Sequence, residues 1–381
     1  MNLAKNLGAF VIELQWVQGD ANKAEKSFFT INQQATAIDK TELRMIEERR
    51  KPNALAARAI IHAGTGHKYW SAFTQDIQLQ IQQLAKEVYG MLYTPPFETP
   101  IKSLDVPVAG HGYSAESVKL VFDFVDFANR SKRPQGPIKS SFGRTYRPIL
   151  PANDDVSGAE TIEYLKTVRK HLSRITGTYP GSLGLHPLVY YFTATGRFQP
   201  TAFLATVSFV EELEAANRFN EFTCHRAKFE DFIVKHRYLI NQIIQMRGSE
   251  ERGLVPLVEM YRGVLAGVAN GLDDSSIITE LRKNDRLRYL HEPSEEDKRA
   301  RRNFSSETKS TAYLREAMEK AVRCSICGAR LHKNSITFDH VQRKEDGGTG
   351  EVDNAMPAHP YCNSGYKESQ HAASLKVANP A

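Results

Sequence analysis

The chain has 381 residues, of which 41% are hydrophobic and 25% charged, with a formal net charge of +6. It is too long for one ordinary core, and no run approaches the ~18 apolar residues that a membrane span needs. Its four cysteines are too few for the disulfide framework of a small secreted protein.

Gly8 to Trp16 reads as a strand, and its apolar part, Leu7 to Leu14, is already interrupted by Glu13. A secretory leader needs a longer apolar region and a small-residue cleavage site, so the expected location is the cytoplasm. Ala24 to Gln33 carries apolar residues at helical spacing, and Asp39 is placed to cap a helix through Leu43 and Ile46. Pro52 opens the next helix, Ala54 to His62, which Gly64 and Gly66 stop. Further helices are expected over Thr74–Tyr89 and Ala115–Asn129.

From Phe127 to Asn153 the chain has no acid but carries Arg130, Lys132, Arg133, Arg144 and Arg147 among prolines and glycines. This is a candidate boundary. Its charge suits a polyanion, or merely a solvated linker. Helical spacing then recurs over Ala159–Ile175, Pro187–Thr195, Pro200–Asn217, Ala227–Gln245, Leu254–Ala269 and Ser275–Lys283. His171, His186, His225 and His236 have no partner constellation and are expected to be surface or core histidines. Cys224, on a helix and without a partner, is expected to be a small buried or half-buried side chain. From His291 to about Thr311 the composition turns to Pro, Ser, Glu and Lys/Arg, a solvated linker or basic arm. Between Arg282 and Lys333 there are 14 Lys/Arg against 8 Asp/Glu, which is +6, so the rest of the chain is near neutral. Lys298, Arg299, Arg301 and Arg302 are the candidates there for gripping phosphates. A short helix, Ala312–Val322, follows.

The last segment carries the chemistry. Cys324 and Cys327 form one knuckle, and His359 and Cys362 repeat the gap 32 residues after Cys327. Together they make a Cys3His set of the structural zinc type, with His332 as the other candidate for the fourth ligand. Such a staple would supply much of the folding free energy of so short a segment. Between the knuckles, Ser335–Val341 is a β-branched and aromatic run that delivers Asp339 and His340 at its end. Gly347 and Gly348 turn the chain back, Asn354 follows, and Pro360 suits the first position of a helix carrying Asn363 and Lys367.

This pattern resembles the zinc-containing branch of the HNH nucleases, which have a ββα-metal fold. The resemblance covers about 55 residues. It implies an endonuclease acting on DNA, with His340 as the general base. Asp339 and Asn363 would be ligands of a catalytic Mg²⁺ or Mn²⁺, Asn354 the orienter of the base, and Lys367 a nucleic-acid contact. Hard oxygen donors suit those ions, and a histidine titrates near working pH. Two departures stand out. His359 replaces the usual first cysteine of the second knuckle, and in some zinc-free members a histidine at that offset binds the catalytic metal. Polar residues around Lys344 stand where a proline is often found. A non-catalytic zinc-dependent nucleic-acid-binding protein and an RNA-directed nuclease are the alternatives.

A second, weaker resemblance lies within residues 8–64, where Phe28 to Leu43 looks like part of a ParB-like domain of restriction and phage-defence proteins. The Asp-Gly-Gln-Arg motif of that domain is absent from the chain. The resemblance implies a sensor or regulator, with a partner protein or sensor subunit as a further expectation, and a role in restriction or antiviral defence. The expected class is α+β: an N-terminal α/β region (1–129), a helical domain (154–290), a basic linker (291–320) and the zinc-bound ββα-metal module (321–378).

Overall fold

A computed structural model describes residues 18–20, 23, 27, 39–66, 69–112, 114–141, 144–146, 148–248, 251–292 and 303–371. The chain divides into two compact units, residues 1–49 and 50–381. In the first, helix α1 (Lys40–Glu47) starts where Asp39 accepts the Thr41 N–H at 2.8 Å, as its sequence predicts. The strand expected over Gly8–Trp16, the helix over Ala24–Gln33 and most of the ParB-like segment lie outside the described residues.

The second unit is mainly helical. Pro52 opens α2 (Pro52–Ile61), whose missing N–H costs nothing in a first turn. Its alanines let α3 (Gln75–Tyr93), α4 (Ala115–Ala128) and α5 (Ala159–Ile175) approach it, and α2 is buried along nearly its whole length. The second layer is built on α7 (Pro200–Ala215), α8 (Phe219–Lys235) and α10 (Glu251–Ala269), where Phe209, Phe222, Phe229 and Tyr261 pack ring against ring. Between α5 and α7 lies the short α6 (Pro187–Tyr190), and α9 (Tyr238–Arg247) and α11 (Asp274–Arg282) flank α10. Among the described residues no helix is long and apolar enough to cross a membrane.

Three expectations need correction. The helix expected over Pro187–Thr195 is the four-residue α6, because Phe192 bridges Phe198 in a tight turn through Gly196 that buries the aromatic cluster with Phe203. The helix expected over Ala227–Gln245 is two. The chain breaks at His236, whose ring is held by Asp274 Oδ2 at 2.9 Å and Tyr238 Oη at 3.1 Å. Cys224 is exposed, because the buried face of α8 runs through Phe222, Arg226, Phe229 and Ile233, and position 224 lies off it.

A β-ribbon, β1 (Lys139–Ser141) with β2 (Arg144–Tyr146), occupies the basic stretch. The C-terminal module begins after α12 (Ser306–Glu319) and contains antiparallel strands β3 (Thr337–His340) and β4 (Ala355–Ala358), then helix α13 over residues 360–371. A π turn spans Cys362–Tyr366 inside α13. Together with the helical body, this small sheet makes the chain α+β.

Candidate metal centre and active site

The first knuckle is a tight loop in which Gly328 donates to the Cys324 carbonyl at 2.9 Å and Cys324 donates to that of Ala329 at 2.8 Å. Gly328 turns it at a φ of 72°. The second knuckle joins the end of β4 to the first turn of α13. The ligand atoms of Cys324, Cys327, His359 and Cys362 all lie within 4.8 Å of one another. His359 Nδ1 stands 3.4 Å from Cys327 Sγ and 3.8 Å from Cys362 Sγ. A zinc tetrahedron with Zn–S bonds of about 2.3 Å has edges of about 3.8 Å, so the donor set fits that ion. The fully buried His359 ring has its Nε2 3.0 Å from the Arg330 carbonyl. A carbonyl only accepts, so Nε2 carries the proton and Nδ1 turns its lone pair to the sulfurs, as a metal-bound imidazole requires. Burial holds His359 below its ordinary pKa and therefore neutral. Hydrogen bonds from Cys327 and Cys362 draw the Cys324 thiol far below its usual range, and the bond to Cys324 pushes Cys327 up to about 12.

His359, and not His332, completes the set. His332 is buried elsewhere, donating from Nε2 to the Val106 carbonyl at 3.0 Å and meeting the His186 ring edge-on.

Beside this centre, β3 and β4 pair with Thr337 opposite Ala358 and His340 opposite Ala355. Alternation puts Thr337 and Asp339 on the face that α13 covers. Asn363 donates from Nδ2 to the Phe338 carbonyl at 3.1 Å, and Lys367 reaches both carboxylate oxygens of Asp339. No hydrogen bond among the described residues uses the Asn363 Oδ1 or the His340 ring, which is half-buried at the strand end. An acidic oxygen pair and an unused amide oxygen on facing elements are donors of the hard type that Mg²⁺ and Mn²⁺ take. Asn354 does not bond the His340 ring. Its Oδ1 accepts the Gln342 N–H at 2.7 Å, and its Nδ2 donates to the carbonyls of Gln342 and Thr349 at 3.1 and 2.7 Å. The turn behind it needs Gly348, where a Cβ would stand 1.9 Å from the Gln342 carbonyl oxygen.

Residues 324–369 match the HNH endonuclease family model. The C-terminal segment is an HNH module. No curated protein and no solved structure matches the chain. The match supports a nuclease-type function for the module and DNA as its class of substrate.

The HNH module is seated on the helical body by its zinc side. Tyr361 donates from its N–H to the Ser182 carbonyl at 2.9 Å and from its hydroxyl to Asn220 Oδ1 at 2.7 Å. Ser335 Oγ accepts the Gly177 N–H at 3.0 Å. Gly184 lets the two parts touch, since a Cβ there would stand 2.7 Å from that of Ser335. Below the zinc ligands lies a buried ion pair, Arg226 with Glu230 at 2.7 Å. Glu230 also accepts the Arg330 N–H at 3.1 Å, so a continuous line of bonds runs from α8 through Arg330 to His359. Sequence reasoning missed this line. Its signal was Arg226 and Glu230, four apart on an otherwise apolar helix face, where charges are rarely fully buried unless paired. Lys298, Arg299, Arg301 and Arg302 lie outside the described residues.

Proposed function

We propose that the chain is a metal-dependent endonuclease that hydrolyses DNA phosphodiester bonds, acting in the cytoplasm in restriction or phage defence. The observation that carries the reading is the placement of Asn363 and Lys367 on α13 across the strand that ends in Asp339 and His340. Asp339 and Asn363 would hold Mg²⁺ or Mn²⁺. That cation, when bound, stabilises charge developing on the phosphate and its leaving oxygen. His340 takes the proton of the water that attacks phosphorus, and among the described residues its ring has no competing bond to break first. Asn354 fixes the backbone that follows His340, so the imidazole departs from a rigid strand end. The zinc knuckles stay out of the chemistry and hold α13 against β3. The defence role rests on the resemblance of the N-terminal segment and on the company such domains keep.

Nicking of supercoiled plasmid with added Mg²⁺ or Mn²⁺, set beside cleavage of a structured RNA, tests the reading. Wild type should nick DNA, and His340→Ala should lower the rate by about 10²-fold or more, the range expected for a general base, with zinc content unchanged. Equal nicking by a zinc-loaded His340→Ala preparation would remove this mechanism. Cleavage of RNA alone would reassign the substrate, and binding without cleavage would leave a zinc-dependent nucleic-acid-binding protein.

A further inference from the structure

The Lys367 ammonium lies 2.9 and 2.8 Å from the two oxygens of Asp339 and 2.6 Å from the His340 carbonyl oxygen. An ammonium has three protons and no acceptor, so these three oxygens use its whole donor capacity. The side chains are 26% exposed for Lys367 and 10% for Asp339. Such a pair is poorly screened and attracts more strongly than one at the surface. The carboxylate it engages is the same one that offers hard oxygen ligands to a divalent cation.

We propose that Lys367 is the resident counter-ion of Asp339 and competes with the catalytic cation for that carboxylate. This rests on the reading of Asp339 as a ligand of that cation. Each Asp339 oxygen keeps a second lone pair for a divalent ion at about 2.1 Å, but an ion bound there stands beside the ammonium already on the carboxylate. Two positive groups on one carboxylate also repel. Filling the site therefore sets the cation against Lys367 at close range, and the free-energy cost of that repulsion, or of moving the ammonium away, is subtracted from metal affinity. Without Lys367, Asp339 would be a nearly buried anion with no cationic partner among the described residues. The lysine thus neutralises Asp339 in the metal-free module and sets the concentration at which the cation enters.

The test is Mn²⁺ binding to zinc-loaded protein without DNA, read as the loss of the free-ion electron paramagnetic resonance signal. Lys367→Met should bind Mn²⁺ at least about tenfold more tightly than wild type, within the usual range for coupling between two bound groups. Lys367→Arg, which keeps the charge, should stay near wild type and controls for any loss of folding in the methionine variant. Affinity in Lys367→Met equal to or weaker than wild type, with zinc retained, would overturn the proposal. Asp339→Asn separates the two readings. It should lose Mn²⁺ binding, and if it binds as wild type does, the cation sits elsewhere and the assignment of Asp339 itself has failed.

Discussion

Asn354 spends its whole side chain on the loop that follows His340, making one bond as acceptor and two as donor to backbone groups of residues 342 and 349. A solvent-exposed hydrogen bond contributes at most about 1 kcal/mol, so Asn354→Ala should leave the module folded and its zinc in place. What it should lose is the rigidity of the loop. Amide hydrogen exchange over residues 342–349 should rise and the nicking rate should fall about tenfold or more, since small misplacements of a reacting group are costly. Unchanged exchange would mean that the turn at Gly347 and Gly348 holds the loop unaided. The residues of the site could be gathered from sequence because Asp339, His340, Asn354, Asn363 and Lys367 stand at fixed places around turns and knuckles. Their partners could not. Spacing says that Asn354 returns near His340, but whether an amide meets a ring or a backbone depends on a loop shape that no local pattern encodes. The same holds for the ammonium of Lys367, whose contact with Asp339 no spacing announces.

At the scale of elements, a zinc ion held by the Cys3His set would substitute for a core. The buried cluster of the module is Cys324, Leu331, Ala358 and Cys362, with Ile326, Cys327 and Ile336 against it. More than half of those side chains are ligands or small, and so little apolar surface cannot offset the ordering of some fifty residues. Zinc coordination, on the order of 10 kcal/mol in small zinc-dependent folds, would be the larger contribution. Cys324→Ser should therefore release about one zinc per chain and make the region beyond α12 sensitive to protease, while the helical body, with its own aromatic core, keeps its far-UV circular dichroism. Nicking should vanish although no cysteine reaches the phosphate. Elemental analysis with limited proteolysis checks this, and full zinc retention in the variant would remove Cys324 from the ligand set. Helix starts were the most legible elements. Asp39, Pro52 and Pro200 each mark one through the physics of an orphan N–H. Breaks made by tertiary contacts were not legible. His236 ends α8 because Asp274, 38 residues on, holds its ring, and a local apolar period runs straight through that point.

At the scale of the whole molecule, the first basic stretch has cations held within the helical body. In the first, Arg130 pairs with Glu211 at 2.5 Å, Arg133 with Asp126 at 3.2 Å, and Lys132 donates to the Glu163 carbonyl and Thr167 Oγ1. Those cations are taken up in joining helices of the body, an outcome that composition could not distinguish from a polyanion-binding patch because the partners are remote in sequence. The second stretch, Lys298, Arg299, Arg301 and Arg302, precedes the HNH module by about twenty residues and has an acidic run, Glu295 to Asp297, on one side alone. We propose that these four basic residues grip backbone phosphates beside the scissile bond. Phosphate contacts release condensed counterions, so each should add about 0.9 to the slope of log affinity against log salt for duplex DNA. Replacing all four residues by serine should flatten that slope by up to about 3.6 and lower affinity alike for every sequence, because phosphates carry no base information. The nicking rate at saturating DNA should hold, since none of the four is assigned to the reacting centre. A slope equal to wild type would show that these side chains do not touch the backbone, and a change in sequence preference would show that they read bases instead.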